Sequence, residues 1–483
     1  MVLAFAPFSL SWMAYLGFGL LFLLWSGASP KAAFVEGWFF GLGLLGVGVF
    51  WMHISIDQFG NVGTALAVVI TLLFVALMAL YFGAAGWLAR RLASAAAGSA
   101  AEGLLLLALG WTLFEWLRGW LLGGFPWLAL GYSQLDTPLA GWAPLIGVYG
   151  VGLAVVVSVA ALIGMSRPGR GTRLAWLLVL LLIWGGGRML THRQWVEPAG
   201  EPISVAIIQG NIEQAQKWLP SILRPTLTHY TQASREQWGT ALIIWPETAV
   251  PAFSSQVEES FLAPLSEEAA EHGSSLLLGI VERGDNGSYY NAMLSLGESR
   301  GAYYKRHLVP FGEFMPFKGL LKPLIDWLQI PMSDFSAGGS GAPLLRLAGH
   351  QAGISICYED AFGEEVIRAL PEARFLVNAS NDAWFGDSLA LPQHLQIARM
   401  RALESGRYLL RSTNTGISAI IAPNGSIAAR SPAFERHLLR GEITPLQGVT
   451  PYARWGNVPV IGMVVLLFCA LLLRRYRLRN RRD

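Results

Sequence analysis

The sequence predicts a chain of two characters, an α-helical membrane bundle and an α/β globular domain inserted ahead of the bundle's last helix. Hydrophobic residues make up 53% of the 483 and charged residues only 14%. Mean hydropathy is +0.44, the balance of a protein that lives in lipid. The apolar residues are gathered into long runs at the two ends. Between roughly 195 and 450 the charge density is ordinary, with Pro and Gly turns and short β-branched runs such as "ISVAIIQGNI" and "ALIIWPET".

In chain order, apolar segments at 8–25, 33–52, 63–87, 104–122, 145–165 and 173–188 each approach the ~20 residues a helix needs to cross hydrocarbon. A seventh, 457–473, precedes the basic tail "RRYRLRNRRD". The expected plan is a transmembrane bundle over 1–193, a globular domain over 194–452, and a closing helix with a basic tail over 453–483. Arginine sets the orientation. Arg90 and Arg91, then Arg167, Arg170 and Arg173, then Arg474 to Arg482 all fall on one side if the spans alternate, which is the cytoplasmic side. The globular domain then lies outside the cytoplasm. The same alternation puts Met1 outside with no span to carry it there, and the opening "MVLAFAPF" has no charged n-region. Either a further N-terminal helix is missing from this sequence, which is the expectation, or the first segment inserts unusually.

In "TLFEWLRGW", Glu115 and Arg118 stand three apart on one helix, close enough to pair. An intramembrane pair faces an interior. It is read as a structural tie to the adjoining loop "GGFPWLALGYSQLD", with a role in substrate binding as the alternative.

Charge and cysteine content exclude several classes. A net charge of +3 with scattered basic clusters gives no nucleic-acid footprint. Two cysteines make no disulfide framework. No His spacing or Cys pair suggests a metal, and no phosphate-cradling Gly loop precedes a helix. Cys469 sits in the final apolar run as a packing residue, whereas Cys357 ends the strand-like "GISICYED".

Two other segments have the same grammar, an apolar run ending in a reactive side chain. "ALIIWPETAVP" ends at Glu247, and "GAYYKRHLVPFGE" carries Lys305 and then Glu313. In α/β folds such strand ends converge on one sheet edge. There a carboxylate can take a thiol proton, a thiolate can attack a carbonyl, and an ammonium with a backbone N–H can steady the oxyanion. The cation is also expected to lower the thiol pKa. Taken singly, Cys357 reads more readily as a buried small residue, and Lys305 or Glu247 as solvated surface. His394, in "QHLQIARMRALE", is a weaker candidate partner for Cys357, because Glu247 and Lys305 already fill the proton and charge roles.

The order Glu, Lys, Cys in these contexts resembles the nitrilase, or carbon–nitrogen hydrolase, superfamily. The membrane flanks narrow the resemblance to the apolipoprotein N-acyltransferases. It spans nearly the whole chain, through "EWLRGW", "GFPWL", "GYSQLD", "QGNI", "IIWPET", "HLVPFGEF", "ICYE", "NDAWFG", "RSTNTGISA" and "TPYARWGN". The resemblance implies a nitrilase-like αββα domain with Cys357 as nucleophile, Glu247 as general base and Lys305 as the oxyanion-stabilising cation. It implies that Glu313 holds Lys305, that Tyr358 and Glu359 follow the nucleophile, and that Asn291 lies near the site. Trp218 matches an aromatic on a loop over the entrance, though from sequence it reads equally as surface packing. From the residues themselves, the Tyr358 N–H is expected to point into the oxyanion hole.

The implied reaction takes the sn-1 acyl chain of a phospholipid, chiefly phosphatidylethanolamine, onto Cys357 as a thioester. It then passes the chain to the α-amino group of a diacylglyceryl-cysteine at an apolipoprotein N-terminus. No cofactor is implied. The setting is a bacterial inner membrane with the catalytic domain periplasmic and the C-terminus cytoplasmic, and a monomer is the default.

The segment "FMPFKGLLKPLIDWLQIPMSDF" (314–335) is apolar and aromatic, with Lys318 and Lys322 among its apolar residues. It is expected to be an arm dipping toward the bilayer; a buried core helix is the alternative. The 19 Trp fit an interfacial belt, with some packed between helices. Two competing readings are a membrane-tethered amidase, and a transporter or receptor whose outer domain only binds ligand. The bundle shows no inverted repeat, which weighs against a transporter.

Overall fold

The computed structural model describes all residues except 61, 95–98, 167–168, 285–286, 315–334 and 480–483. Its contacts divide the chain into two units. One comprises Met1–His53, Thr64–Arg193 and Trp455–Asp483, and the other Ile54–Gly63 with Gln194–Arg454.

The first unit is helical: α1 Trp12–Gly27, α2 Pro30–Gly48, α3 Met52–Gly60, α4 Thr64–Ser94, α5 Ala100–Arg118, α6 Ala143–Met165 and α7 Arg170–Leu190, with the closing helix Val458–Arg479. From Ile54 onward α3 belongs to the second unit. Among the described residues, four helices are long and apolar enough to cross a membrane: Thr64–Ala93, Ala100–Arg118, Pro138–Met165 and Arg170–Leu190. The bent pair α2 and α3 passes the same test only when the two helices are taken together, as a broken span or a re-entrant loop. The sequence reading gave seven spans. The first of these, α1, has 16 residues, about 24 Å of helix at ~1.5 Å per residue, shorter than ~30 Å of hydrocarbon. Nor does the expected span 33–52 run straight through. α2 stops at Gly48, whose carbonyl is taken by the Trp51 indole at 3.1 Å, and the chain turns 59° into α3. Gly37 and Gly41 let α2 lie against α4, since a Cβ at either would strike Phe82 or Ala79.

Glu115 and Arg118 both serve the loop after α5. Glu115 Oε1 accepts from the Leu130 N–H at 2.8 Å, and Arg118 donates to the carbonyls of Phe125 and Trp127. Both are buried. The expected structural tie is present: polar backbone groups of the buried loop are satisfied from within the protein.

The second unit is a four-layer αββα sandwich. One sheet has the order β14-β2-β3-β5-β6-β7, with β4 (Val250–Phe253) also on β5. Its strands are β2 Ile203–Gln209, β3 Leu242–Ile244, β5 Ser275–Arg283, β6 Tyr289–Leu296, β7 Gly301–Tyr304 and β14 His437–Ile443. The other has the order β13-β12-β11-β10-β9-β8, built from β8 Leu344–Leu347, β9 His350–Ile356, β10 Phe375–Ser380, β11 Leu409–Thr413, β12 Ala419–Ile421 and β13 Ile427–Arg430. A small pair, β1 Glu197–Pro198 with β15 Leu446–Gln447, closes the unit.

Period-two alternation builds the layers. Val205, Ile207, Leu242 and Ile244 face Ile354, Ile356, Val377 and Leu410 in the core between the sheets. Their neighbours Ala206, Ile208, Ile243 and Trp245 face outward, toward α8 Pro220–Arg235 and α9 Ala263–Glu271. On the opposite outer face, Leu376 and Leu409 pack against Leu395, Ala398 and Ala402 of α10 Ala390–Ser405. β2, β3 and β5 run parallel, as do β9, β10 and β11, so several strands end at one edge.

Candidate active site

Three chain reversals at that edge carry the reactive groups. β3 ends in Trp245-Pro246-Glu247, and the next residue, Thr248, takes a φ of +49°. The turn lies so close on β5 that a Cβ at Gly279 would come within 2.3 Å of the Thr248 nitrogen. β9 ends at Ile356, and the next residue, Cys357, at φ +52°, opens the 3₁₀ turn Cys357–Ala361. A left-handed non-glycine residue costs about 1–3 kcal/mol and persists only where its surroundings over-determine it. Lys305 follows β7, its N–H donating to the Asn291 carbonyl at 2.8 Å.

All three side chains are buried, with Lys305 1%, Glu247 6% and Cys357 9% exposed. Lys305 Nζ lies 2.8 Å from Glu313 Oε1 and 3.7 Å from Glu247 Oε1. Asn291 Nδ2 donates to Glu247 at 2.7 Å and to Glu313 at 3.2 Å, so one amide holds both carboxylates in place. Glu313 Oε2 takes the Val309 N–H at 2.9 Å. Among the described residues nothing hydrogen-bonds the second oxygen of Glu247, although it is buried. A buried carboxylate oxygen without a donor is costly and suited to receive a proton.

Electrostatics order the proton. Burial opposes the Lys305 charge, but Glu313, Glu247 and Cys357 more than reverse it, and its pKa is held above the ordinary lysine value. Burial and Glu247 push the Cys357 thiol up. Lys305 pulls it down, Asp382 pushes up, and Ser380 pulls down by a hydrogen bond. The cation acts on the thiol in the expected sense, lowering its pKa, but desolvation and the neighbouring acid outweigh it. At rest this is a thiol beside a carboxylate, and charge reaches the sulfur only when its proton leaves.

Glu359 is a brace. It is buried and accepts from Tyr303 Oη (3.0 and 2.9 Å), the Arg306 N–H (2.7 Å), the His307 N–H (3.1 Å) and the Ile356 N–H (2.7 Å). It thus staples the segment after Lys305 to the turn that holds Cys357. The Tyr358 ring meets Phe362 edge-on at 5.0 Å and His307 at 5.8 Å. Lys217 is buried and donates to the Glu247 main-chain carbonyl at 3.3 Å. Burial lowers its pKa to about 8, against the pull of Glu247.

Family models match both parts of the chain: that for carbon–nitrogen hydrolases over residues 204–453, and that for the apolipoprotein N-acyltransferase N-terminal domain over 1–161. The apolipoprotein N-acyltransferase of Methylococcus capsulatus is 47% identical over 98% of this chain and 94% of its own length. The chain belongs to the apolipoprotein N-acyltransferase family. Similar members come from Nitrosomonas europaea, 44% identical over 97% of this chain and 94% of that one, and Azotobacter vinelandii, 42% over 98% and 93%.

In this member of the apolipoprotein N-acyltransferases, Glu247, Asn291, Lys305, Glu313 and Cys357 form one cluster, with Tyr358 and Glu359 on the turn beside it. Trp218 is half exposed, directly before α8. The preceding loop is tied down where Asn381 Nδ2 donates to Gln214 Oε1 at 2.6 Å and Asn414 Nδ2 to the Ile212 carbonyl at 2.8 Å. The expected arm 314–335 lies, apart from its end residues, outside the described residues. His394 bonds Asp360 and Asp382 instead of Cys357. Sequence reasoning passed over Lys217, Tyr303 and Ser380; "KW" and "ASND" were visible as strings, but nothing in them says that the side chains point inward.

Proposed function

We propose that this protein is an acyltransferase of lipoprotein maturation working through Cys357. The observation that carries the reading is the burial of Cys357, Glu247 and Lys305 in one cluster with a free carboxylate oxygen, in a chain of this family. The donor is a phospholipid, phosphatidylethanolamine foremost. Glu247 takes the thiol proton as Sγ attacks the sn-1 ester carbonyl. Lys305 and the Tyr358 N–H steady the tetrahedral oxyanion. The intermediate collapses to a thioester, and Glu247 returns the proton to the departing glycerol oxygen, releasing a lysophospholipid.

In the second half, the α-amino group of a diacylglyceryl-cysteine at the N-terminus of an apolipoprotein attacks the thioester. Glu247 accepts a proton from the nitrogen and passes it to the leaving sulfur, and an amide remains. Splitting the transfer lets one pocket serve donor and acceptor in turn. The burial of all three groups favours aminolysis over hydrolysis by keeping water scarce. Glu313 and Asn291 position Lys305 and Glu247, Glu359 braces the turn, and Trp218 covers the entrance. Charge distribution supports a multi-pass inner-membrane protein with this domain in the periplasm and the C-terminus in the cytoplasm.

Purified protein is incubated with labelled phosphatidylethanolamine and a diacylated lipopeptide. The expected product is triacylated lipopeptide, with an acyl adduct on Cys357 by mass spectrometry when acceptor is withheld. Cys357→Ser should lose both. Release of free fatty acid without triacylation would instead identify a membrane-tethered hydrolase, and an unimpaired Cys357→Ser would rule out the thioester.

A further inference from the structure

Behind Cys357 lies a ring of charges that the transfer steps do not use. His394 places Nε2 2.9 Å from Asp360 Oδ1 and Nδ1 2.9 Å from Asp382 Oδ1. Arg411 closes the ring, 3.4 Å from Asp360 Oδ2 and 2.8 Å from Asp382 Oδ2. All four side chains are at most 2% exposed. With a carboxylate at each ring nitrogen, His394 is an imidazolium, and the quartet sums to zero charge. Buried ion clusters of this kind are weak devices for stability as such, because an apolar filling often does as well. Their use is sought at their margin.

Three threads run from the ring to the sulfur. Asp360 belongs to the turn that begins at Cys357. Arg411 donates to Asn378 Oδ1 at 2.6 Å, and Asn378 Nδ2 donates to the Cys357 carbonyl at 3.2 Å. Third, Ser380 Oγ donates to Asp382 Oδ1 at 2.9 Å. The parallel register pairs Ala379 with Ile356, which sets Ser380 beside Cys357 on the neighbouring strand, and the Ser380 hydroxyl is among the groups that favour the charged form of that sulfur.

We propose that Ser380 is a positioning residue for the nucleophile, a hydroxyl rotor that aims its proton at Asp382 while Cys357 is a thiol and swings it to Sγ as the thiol proton departs to Glu247. The ring is its fixed frame. When Ser380 turns away, Asp382 Oδ1 keeps the His394 donor and Oδ2 keeps Arg411, so the acid is not stranded. The sulfur gains a charge-assisted hydrogen bond at the moment it becomes an anion. It needs one. The charged groups facing it are Glu247 from the end of β3, Asp382 from the end of β10 and Lys305 from the end of β7, two acids against one base, with Glu313 engaging that base. The rotor serves attack and departure alike, because the sulfur carries charge in both, and it leaves substrate affinity unchanged.

The inference rests on Cys357 being the acylated residue, and its test needs no lipid substrate. Full-length protein is treated with iodoacetamide from pH 6 to 10, and modification of the Cys357 peptide is timed by mass spectrometry, which separates it from Cys469. Ser380→Ala is expected to alkylate roughly tenfold more slowly at neutral pH, the profile displaced toward higher pH, as befits one hydrogen bond to a charged atom. Ser380→Thr, which keeps a hydroxyl, should return toward the parent. In acyl transfer, kcat should fall by a similar factor with KM unchanged. Ser380→Gly deletes the same hydroxyl without added volume and gives the answer if the alanine variant does not fold. A folded Ala or Gly variant whose profile overlays the parent's overturns the rotor. Failure of the transfer reading is a separate result: Cys357 would alkylate normally in the parent and take no acyl chain from phosphatidylethanolamine.

Discussion

Cys357 stands between two charge clusters built on opposite principles. On one side Glu247, Lys305, Glu313 and Asn291 share bonds unevenly: Glu313 uses both its oxygens, whereas Glu247 keeps one with no partner among the described residues. On the other side Asp360, His394, Asp382 and Arg411 form a ring in which every carboxylate oxygen has a donor. Both clusters are buried, so both resist being left half-paired. The difference teaches where chemistry is placed. An acid with a spare oxygen is poised to take a proton, while a ring without one holds geometry. Both lie within reach of one sulfur, the first through charge and the second through Ser380.

The contrast breaks first at Glu247. Glu247→Gln keeps an oxygen for Asn291 but cannot act as a base, and acyl-enzyme formation is expected to drop by ~10²–10⁴, with little change in thermal unfolding. Acylation of this variant at the parental rate would mean that the spare oxygen is not the proton acceptor. Next comes the ring. Arg411→Met leaves two buried carboxylates with one cation, and a loss of about 3–5 kcal/mol of stability is expected, read as a lowered unfolding temperature by differential scanning. If the variant melts with the parent, the ring is not the fixed frame described.

The mildest test is pH. Burial and Arg411 oppose the His394 proton, but Asp360 and Asp382 win and raise its pKa from 6.5 to about 9. A base raised in the folded state contributes stability that is fully present below about 6.5 and is lost as pH rises through about 9, on the order of 3 kcal/mol at most. Melting temperature should therefore fall across that window in the parent. In His394→Gln the fall should vanish, leaving a flatter curve at a lower level. A parental curve flat from pH 6.5 to 9 would sharpen the contrast differently, by showing that His394 holds no extra proton.

Much of the layout could be read from residue order. Alternation in "ISVAIIQ" and "ISICYED" marks strands whose two faces serve different cores, and a reactive side chain directly after each run marks the shared edge. Glu247, Lys305, Glu313, Asn291 and Cys357 were legible on those grounds together with the family likeness. The ring was not, because its members come from a turn, a strand end, a helix and a neighbouring strand, and each taken singly looks like an ordinary polar residue. His394 showed itself as a histidine near the start of a helix, but which acids would flank it depends on sheet order. The thiol's net rise in pKa was not legible for a related reason: a string shows the nearby cation but not the depth of burial. The break after Gly48 was hidden by uninterrupted hydropathy, since Trp51 competes for a carbonyl that composition counts as helical.

The catalytic unit is discontinuous along the chain. Its contacts take in Ile54–Gly63, where Phe59 meets Trp384 edge-on at 4.5 Å and Ile54 lies beside Gly386. This short piece leaves the ribosome about 130 residues before Gln194, so its resting place does not yet exist when it is made. A fragment cut from 194 to 454 would lack that piece and uncover a tryptophan two residues from Asp382, one corner of the scaffold behind the sulfur.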